Sequence, residues 1–156
     1  IEIEKGWKID GLRFVLLPVG LFKRLENACS GLKAKISQDE RKSWPKVSDG
    51  FLAIALAAKK LFIAGEEIFL AADTDGWLDS CESYFSPRGL GSPISANSLD
   101  SHGGIELLFG DIPLPSLTIG FLAGAWVRCE GKPVKIDFEL DGNQWKIRLQ
   151  SRYNIS

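Results

Sequence analysis

From Val134 to Leu149 the chain alternates apolar and charged residues with a period of two, a pattern that no helix can gather onto one face. Val134, Ile136, Phe138 and Leu140 are interleaved with Lys135, Asp137 and Glu139, and Trp145, Ile147 and Leu149 with Lys146 and Arg148. The spacing predicts an antiparallel hairpin with one buried face. Two turns would keep the apolar residues together, one at Asp141-Gly142 and one at Gly142-Asn143. The second also sets Glu139 opposite Lys146 and Asp137 opposite Arg148, whereas the first opposes Lys135 to Arg148. Cross-strand charge pairs contribute about 0.2–1 kcal/mol each, and they select the Gly142-Asn143 turn.

The rest of the chain is read around that hairpin. Residues 1–9 and 12–17 predict two short strands joined at Asp10-Gly11, a favoured two-residue turn. From Leu21 the period changes: Leu21, Leu25, Ala28, Cys29, Leu32 and Ile36 recur at helical spacing, opposite Lys23, Arg24, Glu26 and Lys33. This predicts an amphipathic helix laid on a core, weakened by Gly31. Residues 37–50 are polar and read as a loop. Residues 51–58 are apolar nearly all round, as in a buried helix starting near Ser48 or Asp49, or a buried strand. Residues 60–70 have apolar runs on either side of Gly65-Glu66 and predict a hairpin. Residues 86–104, with two prolines, four glycines and five serines, read as one long irregular segment. Ile105–Phe109 and residues 117–129 read as strands, the latter bent or bulged at Gly120 and Gly124. The sum is an α+β fold: an antiparallel sheet of about five to seven strands with one or two helices packed on one face, in a single globular domain over residues 1–156.

Composition narrows the function. A chain of 156 residues that is 45% apolar and 25% charged can bury a core without disulfides or a structural metal. Its net charge of −1 argues against nucleic acid as a partner, because that affinity is drawn from many phosphate contacts. Cys29, Cys81 and Cys129 have no metal-ligand spacing and read as reduced thiols. No apolar run is long enough to span a bilayer, so the expectation is a soluble, cytoplasmic protein with no membrane partner. Residues preceding Ile1, where a removed signal could lie, are outside this reading.

Three segments could carry chemistry. Residues 71–82 match part of an EF-hand loop, with Asp73, Asp75, Asp79 and Glu82 at the third, fifth, ninth and twelfth positions and Gly76 at the sixth. Ala71 stands where the first ligand should be, and a solvated acidic turn leading into a short helix is the plainer reading. His102, the only histidine, could act as a general base, yet no nucleophile elbow or other triad signature accompanies it. Trp44 and Trp77 fall in polar stretches, where aromatic side chains can anchor partners or be covered by the loop itself.

A charge asymmetry remains. Glu66, Glu67, Asp73, Asp75, Asp79 and Glu82 occur with no basic residue between them, whereas residues 21–46 are basic on balance through Lys23, Arg24, Lys33, Lys35, Arg41, Lys42 and Lys46. Either the two stretches pair, or the acidic one forms a platform around Trp77 that steers and anchors a basic partner. The second reading predicts a non-catalytic, cofactor-free protein-binding module. Its physical type is that of an intracellular inhibitor, such as a bacterial immunity protein that neutralises a nuclease-like toxin by occluding its active surface. The alternatives are a small-molecule or enzymatic pocket between a curved sheet and its helices, with His102 at the rim, and calcium binding from Asp73 to Glu82.

Overall fold

The computed structural model describes residues 7–9, 12–14, 19–29 and 36–153. Its elements are β1 (Trp7–Ile9), β2 (Leu12–Phe14), α1 (Val19–Cys29), α2 (Gln38–Lys42), α3 (Asp49–Ala64), α4 (Thr74–Phe85), β3 (Pro93–Ser98), β4 (Ile105–Phe109), α5 (Pro115–Glu130), β5 (Val134–Asp141) and β6 (Gln144–Ser151). The fold is α+β. Its main sheet has four antiparallel strands in the order β3-β4-β6-β5, fewer than expected, and β1 and β2 form a separate two-stranded sheet. Five helices rather than one or two accompany them among the described residues.

The C-terminal hairpin has the expected register: Asp137 faces Arg148, Glu139 faces Lys146 and Asp141 faces Gln144, with Gly142 in the left-handed region at φ 62°. Its apolar residues join those of β4, with Leu107 beside Ile147 and Ile105 beside Leu149, to make one buried sheet face. On the other face Arg148 reaches Glu106 at 2.8 Å, Glu139 at 3.3 Å and Asp137 at 3.4 Å. At the N-terminus Ile9 pairs with Leu12, as a two-residue turn requires; Asp10, Gly11 and the remainder of the two expected strands lie outside the described residues.

Residues 117–129 are helical rather than extended. Pro115 opens α5 at a position where its missing N–H is not needed, and Gly131 closes it in the left-handed conformation at φ 69°. Gly120 and Gly124, four residues apart, lie on the face that meets α3. A Cβ on Gly120 would sit 2.8 Å from the Ala55 Cα, and one on Gly124 2.8 Å from both the Lys59 carbonyl oxygen and the Phe62 Cβ. The contact advances together along both helices, which therefore run in the same sense. These glycines permit backbone approach between helices and make no strand bulge. α5 is thereby enclosed between α3 and the sheet, with Ile119, Leu122 and Trp126 fully buried.

The segment 60–70 is not a hairpin. Ser48 caps α3 by accepting the Phe51 N–H at 3.1 Å, and the helix continues to Ala64. Helix α1 covers the first part of the expected amphipathic helix; residues 30–35, including Gly31, lie outside the described residues. Leu21 and Leu25 remain about half exposed on it. Residues 86–104 are not wholly irregular, since they contain β3, an edge strand that opens with Pro93 and has a bulge between Pro93 and Ser95. At the other edge the Ile136 N–H donates to the Ser43 carbonyl at 2.7 Å. Arg152 there donates to Ser43 Oγ at 2.6 Å and to Glu40 at 2.9 Å. No helix among the described residues is long and apolar enough to cross a membrane.

Candidate functional site

Asp73 determines where the acidic segment becomes helical. Its Oδ1 accepts the Gly76 N–H at 2.7 Å, which satisfies one of the free donors of the first turn of α4 and starts the helix there. From that start the apolar positions Trp77, Cys81, Tyr84 and Phe85 fall on the core side. Asp75, Asp79 and Glu82, spaced four and three residues apart, fall together on the solvent side and are exposed. Among the described residues none of the three forms an ion pair, and of the basic stretch Arg41 pairs instead with Asp49 at 2.9 Å.

Two members of the expected platform stand differently. Trp77 is only 3% exposed and packs edge-on against Phe69 at 5.2 Å between centroids, so it is a core residue and no surface anchor. Glu67 turns inward: its side chain is 11% exposed, its Oε2 lies 3.8 Å from the Arg128 guanidinium, and that oxygen makes no hydrogen bond among the described residues. Glu66 is exposed. The exposed carboxylates of the acidic segment are therefore Asp75, Asp79 and Glu82 along α4, Asp73 as its cap, and Glu66 on the segment that leads to it.

The calcium loop does not form. Residues 74–85 are helix, Asp73 is committed to the cap, and the other three carboxylates point to solvent along a helix instead of converging on a point. No group of three metal-ligating side chains lies close enough together among the described residues to hold an ion.

His102 stands exposed at the tip of the β3–β4 hairpin. The turn is organised by Asp100, whose Oδ1 accepts the backbone N–H groups of His102 at 2.7 Å and Gly104 at 2.8 Å. Burial pushes the Asp100 carboxyl up, but these hydrogen bonds and the charges of His102 and Lys132 outweigh it and hold the group below the usual carboxylate range. Between this turn and the start of α4 lies a hollow of about 310 Å³ with Asp73, Asp100 and Glu130 on its wall. Asp100 and Glu130 thus extend the negative surface. They are far from Asp73 in sequence, and nothing in the local pattern brings the three together.

The expected pocket between sheet and helices is occupied by α5 itself. A groove of about 550 Å³ lies instead on the outer flank of α3, where Ile36, Leu56 and Ile63 are rimmed by Glu40, Lys59 and Lys60. Burial pushes the Glu40 carboxyl up, but hydrogen bonds from Lys59, Trp44 and Arg152 and the Lys59 charge outweigh it and hold Glu40 below its ordinary range. Those contacts bind α2 to α3 and to the residue that follows β6.

No protein-family model matches the chain, and no curated protein shows significant similarity to it.

Proposed function

We propose that this chain is a non-catalytic protein-binding module whose acidic face on α4 receives a basic surface of another protein. The observation that carries this reading is that Asp75, Asp79 and Glu82 share one exposed helix face with no cation paired to them among the described residues. Unpaired like charges on a rigid element generate a field that accelerates the approach of an oppositely charged partner and repels acidic ones. An enzyme that must itself be positive to hold its substrate, as a nuclease must, fits this face, and covering its active surface would inhibit it. That is the action of an immunity-type inhibitor.

The test is the affinity for a panel of purified basic proteins, nucleases among them, across a salt series. A steered complex weakens as ionic strength rises. The variant Asp75→Asn/Asp79→Asn/Glu82→Gln is expected to slow association and flatten that salt dependence. Affinity that is independent of salt, or equal in the variant, sinks the proposal.

A further inference from the structure

We propose that Ile68 and Leu70 are the apolar anchor of the acidic face, and that together they dock a protein partner presenting an apolar patch bordered by lysine or arginine; this rests on the reading of α4 given above. Between the end of α3 and the cap of α4, residues 66–70 alternate in direction. Glu66, Ile68 and Leu70 point outward, and Glu67 and Phe69 inward. Ile68 is 84% exposed and Leu70 77%, the two most exposed large apolar side chains among the described residues.

The segment is held in place by what it buries. Phe69 packs against Phe62 at 5.8 Å and Trp77 at 5.2 Å, both edge-on. Ser80 donates to the Leu70 carbonyl at 2.5 Å. At Gly76 a Cβ would touch the Ala71 Cα at 3.3 Å and the Leu70 carbonyl oxygen at 3.7 Å. The backbone of residues 70–71 therefore runs along the flank of α4 at Gly76 and Ser80, the immediate neighbours of Asp75 and Asp79. Two apolar side chains carried on a backbone held in this way, near a row of carboxylates, lose little main-chain freedom on docking, which favours an anchor.

Charge decides the occupant. A second copy meeting this surface through a twofold axis would place Asp75, Asp79 and Glu82 against their own equivalents. An anionic membrane would be repelled by the same carboxylates. A surface with an apolar centre and a basic rim satisfies both parts at once.

Fluorescence anisotropy with two labelled peptides of equal charge tests this, one alternating leucine with lysine and the other serine with lysine. The native protein is expected to bind the leucine peptide roughly tenfold or more tightly than the serine peptide, since each buried aliphatic side chain is worth about tenfold in affinity. Ile68→Ser/Leu70→Ser is expected to abolish that preference, while retaining the native urea midpoint and salt-sensitive binding of the serine peptide. Equal affinity of the native protein for the two peptides, or a preference that survives in Ile68→Ser/Leu70→Ser, overturns the anchor. So does a homodimer, or binding to anionic phosphatidylserine vesicles, that disappears in this variant. If the serine peptide binds the native protein without salt dependence, it is the acidic-face reading that has failed; if salt dependence is intact and only the leucine preference is missing, the anchor alone has.

Discussion

Gly124 of α5 lies against Lys59 of α3 so closely that a methyl group in place of its hydrogen would stand 2.8 Å from the Lys59 carbonyl oxygen. In an exposed helix, glycine to alanine gains up to about 1 kcal/mol through propensity. Here the added carbon also meets the Phe62 Cβ at 2.8 Å, so the helices must separate. Gly124→Ala is expected to reverse the usual sign and destabilise by about 1–3 kcal/mol, read as a lower urea midpoint with an unchanged slope.

Trp77 distinguishes a core residue from a surface one. Trp77→Ala opens a cavity beside Phe69 and is expected to cost about 3–5 kcal/mol. A tryptophan standing free in solvent would cost close to nothing, so the thermal melt of this one variant checks the assignment.

The acidic face should contribute little to stability. Asp75 favours the first turn of α4 through the helix dipole, whereas Asp75 and Asp79 repel each other across one turn. The variant Asp75→Asn/Asp79→Asn/Glu82→Gln is expected to unfold within about 0.5 kcal/mol of the native protein. Asp73→Ala, which removes the cap, is expected to lose about 1 kcal/mol. Chemical denaturation of the two side by side separates the face from its support.

Glu40 makes stability depend on pH. Its carboxyl is held below its ordinary value in the fold, so the unfolded chain binds the proton more readily. The stabilisation is therefore complete above the unfolded value of about 4.5 and is lost as the pH falls through the lower folded value. Glu40→Gln is expected to cost about 1–3 kcal/mol at neutral pH through its charge-assisted hydrogen bonds. The gap to the native protein should narrow on acidification below about pH 4, in denaturation curves at a series of pH values. A constant gap would disprove the assignment.

What the sequence made legible depended on how each element is exposed. The β5–β6 hairpin has one wet and one dry face, so its period and charge pairing were readable down to the register. Helix α5 is dry nearly all round, and a segment without a polar face carries no period to read; its two glycines suited a bent strand as well as a close-packed helix. Strand β3 lies at the sheet edge with no apolar face, so its serines and Pro93 resembled a loop. In the candidate site the run of carboxylates was visible, but the inward turn of Glu67 and Trp77 was set by Arg128 and Phe69. Arg128 lies far away along the chain. Ile68 and Leu70 read as ordinary strand residues for the same reason.

The clasp of Arg152 on Glu40 joins positions 112 residues apart. During synthesis, α2 leaves the ribosome long before the strand edge it covers at Ile136 has been made, and it can close only after the residue that follows β6 has emerged. Until then the backbone of β5 is open to pairing with neighbouring chains, so the nascent protein is most vulnerable to aggregation, and most in need of a chaperone, in the interval between the emergence of β5 and that of Arg152.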